Sequence, residues 1–236
     1  DFGVFSEIIP FQKVKREKFL KNNIKGIIYS GGPSSVESKT APTVPNFLYD
    51  LKIPILGVCY GLQLICKDFN GEVNFSKYRE FGRTKIKILK DSPLFKGSYQ
   101  LKKNYNVWMS HSDKVIKMPK GFETLASSQS CKDAVIQNLK KKIFGVQFHP
   151  EVVHTEKGTN LLQNFVIDIC KCKKTWSMDI FRNEIIKKIK EKVGKDRVLC
   201  GLSGGVDSTV TAVLVHQAIG DKLQCVFVDT GLMRMN

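Results

Sequence analysis

A cysteine held between two glycines constrains this chain more than any other feature. Gly57-Val58-Cys59-Tyr60-Gly61 follows the apolar run Ile53-Pro54-Ile55-Leu56 and leads into Leu62-Gln63-Leu64-Ile65. The first run reads as a buried β-strand and the last as the start of a helix, which places Cys59 on a sharp strand-to-helix turn. Such a turn lifts its side chain clear of a sheet. The helix N-terminus beneath it offers partial positive charge and free backbone N–H groups. A cysteine in that setting is expected to react as a thiolate at neutral pH. Taken alone, the same run also suits a small apolar residue packed at a strand end.

A thiolate that attacks a carbonyl needs a base, and the base needs a group to orient it. The chain has four histidines. His149 directly follows Ile143-Phe144-Gly145-Val146-Gln147-Phe148, which reads as a strand, and Pro150 and Glu151 come next. Proline stops the strand and leaves His149 at its C-terminal end, where ligands of open α/β sheets bind. Glu151 is close enough to accept from the imidazole and fix its tautomer. By itself His-Pro-Glu also fits a hydrogen-bonded turn; with a cysteine elbow it becomes a Cys59-His149-Glu151 triad. The other histidines have weaker claims. His111 lies in Met109-Ser110-His111-Ser112-Asp113, read as a polar turn after a short strand ending at Trp108. His154 falls in a loop and His216 in a helix.

The oxyanion formed during attack needs backbone donors. The elbow can supply the Tyr60 N–H. A second donor can come from Ser30-Gly31-Gly32-Pro33, after the strand Gly26-Ile27-Ile28-Tyr29, because paired glycines let backbone approach a substrate closely. An ordinary Gly-Gly-Pro turn is the alternative.

Gly-Gly-Pro-Ser, Gly-Val-Cys-Tyr-Gly-Leu-Gln and Phe-His-Pro-Glu-Val, in this order, resemble the class I, triad-type glutamine amidotransferase domain. Met-Ser-His-Ser-Asp and Arg79-Glu80-Phe81-Gly82 narrow the resemblance to the amidotransferase domain of the GMP synthetase family. The resemblance implies a flavodoxin-like open α/β sheet and release of ammonia from glutamine through a thioester. It also implies that Cys59 is the nucleophile, His149 the general base and acid, and Glu151 its orienter. Gly32 and Tyr60 would form the oxyanion hole. Gln63 and the turn Ser110, His111, Ser112 and Asp113 would hold the amino-acid end of glutamine.

A second motif lies near the C-terminus. Arg197-Val198-Leu199-Cys200-Gly201-Leu202 reads as a strand, Ser203-Gly204-Gly205-Val206-Asp207-Ser208 follows, and Thr209 to Ile219 reads as a helix. A Gly-rich loop between strand and helix cradles phosphate with backbone N–H groups. The Gly-Lys-Ser/Thr ending of a Walker A loop is absent. The segment resembles the PP-loop of N-type ATP pyrophosphatases. That resemblance implies ATP binding at Ser203, Gly204, Gly205, Val206, Asp207 and Ser208, with Asp207 a magnesium contact. A capped Gly-Gly turn is the structural alternative. Beyond the strand Leu223 to Val228, the segment Asp229 to Arg234 resembles one in GMP synthetases, which makes Arg234 a contact to the nucleotide acceptor, XMP.

Composition excludes some classes. Seven cysteines without paired motif spacing argue against a disulfide framework or zinc site, and Cys170 and Cys172 are too close for a usual zinc pair. No stretch approaches the roughly 18 apolar residues of a membrane span, and no signal peptide is recognisable. A cytoplasmic, reducing location is expected. The net charge of +16 raises nucleic acid as a partner. The lysines are scattered, however, and aromatic residues are not interleaved with them as in single-strand binders. A basic surface also suits anionic nucleotides.

The expected organisation is an amidotransferase domain over residues 1–172, a helical connector over 173–195 and the beginning of a second α/β domain over 196–236. Trp176, Phe181, Ile185, Ile186 and Ile189 give the connector an apolar face at helical spacing. Two strands and one helix cannot bury a core, so the second domain is expected to be incomplete. Asp1-Phe2-Gly3 also abuts Val4 to Pro10 where the family places a helix, which suggests omitted stretches. The resemblance implies that ATP adenylates XMP and that ammonia displaces AMP to give GMP. ATP with Mg²⁺ is then a substrate, with no prosthetic group, and a homodimer would form through a C-terminal region outside this sequence. The alternative is an amidotransferase coupled to another PP-loop acceptor, a tRNA base or small metabolite. A degenerate, non-enzymatic regulatory or RNA-binding module is disfavoured by an intact Cys59, His149 and Glu151.

Overall fold

The computed structural model describes residues 2–21 and 23–227. The described chain falls into two compact units, residues 6–173 and the remainder.

The first unit is built on a seven-stranded mixed sheet. Its strands are β1 (Ile27–Tyr29), β2 (Ile55–Val58), β3 (Glu72–Ile88), β4 (Asn104–Lys117), β5 (Glu123–Ser127), β6 (Val135–Asn138) and β7 (Ile143–Val146), in the order β1-β2-β7-β6-β5-β3-β4. β1, β2 and β7 are parallel; the other pairs are antiparallel. Every residue of β2 and β7 is buried, as continuous apolar runs require when both faces of a sheet are covered. Short helices α1 (Arg16–Lys21) and α2 (Phe47–Asp50) precede α3 (Tyr60–Asp68), whose residues from Tyr60 to Cys66 are all buried. Leu62, Cys66 and Ile136 pack on one side of the sheet, and Leu56, Val107, Met109, Phe144, Phe148 and Phe165 on the other. Each such large apolar side chain contributes about 1.5–3 kcal/mol on burial. α4 (Gly158–Gln163) and a π-helical turn at Asn164–Ile169 complete this unit.

Three boundaries differ from the sequence reading. Strand β2 begins after Pro54, since proline cannot donate to the ladder. Strand β7 ends at Val146, so Gln147 and Phe148 lie beyond it, although Phe148 is fully buried. The segment Ser110–Asp113 is not a turn but lies inside β4. There Val107, Met109, His111, Asp113 and Val115 alternate inward as one strand face. Polar inward residues hid that period.

The second unit contains α5 (Met178–Val193), capped by the Ser177 hydroxyl accepting from the Ile180 N–H. After it come β8 (Val198–Leu202), α6 (Val206–Ile219) and β9 (Leu223–Phe227), with β8 and β9 parallel in register. The helix α6 starts three residues earlier than expected, taking Asp207 and Ser208 into its first turn. Arg234 and the rest of residues 228–236 lie outside the described residues.

Candidate active site

The elbow is formed by steric necessity. A Cβ on Gly61 would lie 2.1 Å from the Tyr29 carbonyl oxygen, and one on Gly57 would lie 2.6 Å from the Gly61 backbone. Only glycine at both places lets α3 start directly against β1 and β2. The turn between them forces Cys59 to φ 50°, ψ −104°, a region that non-glycine residues avoid at a cost of about 1–3 kcal/mol. Its backbone N–H donates to the Val146 carbonyl at 2.7 Å, tying the elbow to the end of β7.

His149 is held by three contacts to its own backbone. Its N–H donates to the Trp108 carbonyl at 2.9 Å, and its carbonyl accepts from the Thr155 hydroxyl at 2.6 Å and from the Val152 N–H at 3.4 Å. Thr155 is buried, and its oxygen also accepts from the Trp108 N–H at 3.0 Å. The histidine loop is thereby strapped to β4. The ring donates from Nδ1 to Glu151 Oε1 at 2.7 Å, which leaves Nε2 for Cys59. Hydrogen bonding to Cys59, then to Glu151, outweighs burial and holds the imidazole up at about 10. Burial pushes the Glu151 carboxyl up, but the His149 hydrogen bond prevails and its pKa falls below the usual value.

The glycine pair closes the other side. A Cβ on Gly31 would meet His149 Cε1 at 2.9 Å and Cys59 Cβ at 3.7 Å, while one on Gly32 would lie 3.9 Å from the Tyr60 ring. Gly31 therefore packs against both reactive side chains, and Gly32 borders Tyr60. Tyr60 opens α3, so its N–H has no partner within the helix.

The cysteine thiol donates to the Ser110 carbonyl at 3.5 Å, and Gln147 Nε2 faces its sulfur at 3.7 Å. Gln63 is buried; its Nε2 donates to the Asp113 carbonyl at 2.8 Å and lies 3.3 Å from Gln147 Oε1. Ser110 and Ser112 face away from the core, and Asp113 is buried with Oδ2 unpartnered. The side chain of His111 is turned inward onto Glu80. Gln147, Gly31 and Thr155 were not singled out from sequence. Gln147 had a detectable signal, lying two residues before His149; Thr155, six residues after it, had none.

Glu80, His111 and Cys131 form the one described group whose metal-ligand atoms converge, all within 4.8 Å. Both Glu80 oxygens already accept protein hydrogen bonds. Burial pushes the Cys131 thiol up to about 12. The donor set suits a hydrogen-bonded cluster rather than a metal centre. The remaining histidines stand apart: His154 is exposed and stacks on Trp108, and His216 is exposed on α6.

In the second unit, Gly204 takes φ 76° and Gly205 caps α6. The hydroxyls of Ser203 and Ser208 lie 3.1 Å apart, and Ser208 donates to the Gly205 carbonyl at 3.0 Å. Asp207 is exposed in the first helical turn. Among the described residues no helix is long and apolar enough to cross a membrane.

Comparison with known proteins places both units. A family model described as NAD synthase matches residues 180–229. The GMP synthase [glutamine-hydrolyzing] of Agrobacterium fabrum is 51% identical over 99% of this chain and 44% of its own length. That of Aquifex aeolicus is 49% identical over 99% and 45%. The chain thus spans less than half the length of these curated relatives. A GMP synthase crystal structure from Thermoplasma acidophilum aligns with TM-score 0.56 and 32% identity, covering 66% of this chain and 77% of that one. A Thermotoga maritima glutamine amidotransferase structure, at TM-score 0.50 and 17% identity, shares the fold. The model described as glutamine amidotransferase class-I matches residues 1–169, well over half the chain, and this protein belongs to that family.

Proposed function

We propose that the protein releases ammonia from glutamine at Cys59 and passes it to a nucleotide activated at the PP-loop, forming GMP from XMP and ATP. The observation that carries the first half is the convergence of Cys59, His149 and Glu151 around one elbow, with Gly31 packed against two of them. The second half rests on about 50% identity to glutamine-hydrolysing GMP synthases along nearly the whole chain.

In this reading the Cys59 thiolate attacks the amide carbon of glutamine. The oxyanion is met by the Tyr60 N–H and, from across the site, the Gly32 N–H. With its pKa held near 10, His149 enters the reaction as an imidazolium. It protonates the departing ammonia and then takes a proton from the water that cleaves the thioester. Glu151 keeps Nδ1 protonated and so aims Nε2 at the reacting atoms. Gln63 and the Ser110–Asp113 stretch of β4 border the amino-acid end of the substrate, where the unpartnered Asp113 oxygen suits an ammonium group.

The loop at Ser203, Gly204, Gly205, Val206, Asp207 and Ser208 fits phosphate. It opens a 14-residue helix and carries exposed hydroxyls and glycine backbone. Magnesium at Asp207 would neutralise pyrophosphate charge. Arg234 would contact the acceptor. Residues 1–172, 173–195 and 196–236 then serve as glutaminase, connector and opening part of the synthetase, in a cytoplasmic enzyme that dimerises through its further C-terminal part.

Replacing the nucleophile tests the reading directly. In the full-length enzyme, Cys59→Ala should lower glutamine-dependent GMP formation by at least about 10⁴-fold, while added ammonium restores synthesis. Retained glutamine use would defeat the triad assignment. Adenylation of a different acceptor in preference to XMP would defeat the second half.

A further inference from the structure

Glu80 sits on β3 directly across from His111 on β4, at the point where pairing resumes after an irregularity between Phe75 and Glu80. Both side chains are more than nine-tenths buried. His111 Nε2 lies 3.1 Å from Glu80 Oε2, and His111 Nδ1 lies 2.9 Å from the Asp113 carbonyl oxygen. A carbonyl only accepts, so Nδ1 carries a proton and donates to it. The other carboxylate oxygen, Oε1, accepts from the hydroxyls of Ser128 and Ser130. Burial pushes the Glu80 carboxyl up, yet the His111 and serine donors outweigh it and its pKa is lowered.

The backbone that this pair holds is the part of β4 that reaches the candidate site. The Asp113 carbonyl receives the His111 N–H on one side and the Gln63 amide at 2.8 Å on the other. The carbonyl of Ser110, next to His111, receives the Cys59 thiol. His111 itself has both ring nitrogens engaged inside the protein. Whatever it does for glutamine it does through the strand.

We infer that Glu80 is a positioning residue of the glutaminase site, acting through His111 to hold the Ser110 and Asp113 carbonyls against Cys59 and Gln63. This rests on the proposed glutaminase function. Without the carboxylate, the imidazole loses its second anchor and the carbonyls lose their fixed place. A displacement of about 1 Å at a reactive centre costs on the order of 100-fold in rate.

The test uses the full-length enzyme and compares glutamine-supported with ammonium-supported synthesis. Glu80→Leu should lower kcat/KM for glutamine about 100-fold, with KM raised at least about tenfold, and leave the ammonium-supported rate unchanged. Glu80→Gln can donate to His111 Nε2 from its amide nitrogen and accept from the serines with its oxygen. It should therefore stay within about threefold of wild type. A merely structural role would reduce the active fraction, and hence kcat, while sparing KM. An unchanged KM for glutamine in Glu80→Leu therefore overturns the inference. If Glu80→Leu does not fold, Ser130→Ala removes one donor to the carboxylate and should raise KM about threefold; no change there overturns it equally. Glutamine use surviving in Cys59→Ala would instead sink the glutaminase reading itself.

Discussion

Two loops in this molecule share one local plan, strand then glycine-rich turn then helix, and use it for opposite ends. At Gly57–Gly61 the glycines are there for packing: any Cβ would strike backbone within 2.6 Å or less. That crowding buries the elbow and drives Cys59 into a strained conformation. At Ser203–Ser208 the glycines are there for access. A Cβ on Gly201 meets nothing within 4 Å, and one on Gly205 meets only the Ser203 hydroxyl, at 3.5 Å. The first loop presents a side chain on a backbone held rigid by its neighbours. The second presents backbone and hydroxyls to whatever arrives. The same motif grammar therefore yields a nucleophile where the surroundings are dense and an anion cradle where they are open.

Paired glycine substitutions should break that comparison most visibly. Gly61→Ala places a methyl 2.1 Å from a backbone oxygen that cannot move without displacing β1. We expect a loss of about 3 kcal/mol or more from the first unit, read as a large drop in melting temperature together with glutaminase activity. Gly205→Ala has an ordinary extended backbone, φ −87°, ψ 164°. Its stability should change by less than about 1 kcal/mol, while ATP-dependent synthesis falls because the new methyl lies where phosphate would approach. Similar destabilisation by both changes would erase the distinction between a packed loop and an open one.

Asp207→Ala sharpens the same contrast from the charge side. Removing an exposed carboxylate should leave folding intact but reduce both glutamine- and ammonium-supported synthesis by about 100-fold. Cys59→Ala spares the ammonium route. Measuring both substrates in both variants separates the loops as two independent sites, and an Asp207→Ala enzyme with normal ammonium-supported turnover would remove that residue from the synthetase machinery.

What could be read from sequence follows the same division. Both loops are local: their strand, glycines and helix are adjacent in the chain, and Cys59 and Ser203–Ser208 stand out without knowledge of anything distant. The α/β class and the strand behind each loop were legible for that reason. The β4 strand was not. Its inward positions alternate Val107, Met109, His111, Asp113 and Val115, and the two polar members broke the hydrophobic period. They are tolerated inside because Glu80, 31 residues from His111, and Gln63, 50 residues from Asp113, supply partners. Such long-range pairings leave no mark on a local pattern. Thr155 shows the same limit: its role comes from reaching His149 and Trp108 at once, and no spacing announces it.

The smallest expected effect, and the most discriminating, concerns Glu151. This carboxylate is half exposed, 54% by side chain, so it orients His149 rather than supporting the packed elbow. Glu151→Gln should lower glutaminase turnover about tenfold, well short of the loss in Cys59→Ala. The pH dependence gives the sign. The folded-state pKa of His149 is raised from 6.5 to about 10, so its stabilising contribution is complete below 6.5 and disappears as pH climbs through about 10. The pKa of Glu151 is lowered from 4.5, so its contribution is complete above 4.5 and is lost as the medium becomes more acid. The pair should therefore contribute most between about pH 4.5 and 6.5. The melting-temperature gap between wild type and Glu151→Gln should be widest there and narrow toward pH 10. The alkaline limb of glutaminase kcat/KM, set by loss of the imidazolium, should move to lower pH in the variant, because the ring has lost its carboxylate. A limb that stays in place would mean that contact with Cys59 alone holds the His149 proton, and would reduce Glu151 to a bystander on the surface of the loop.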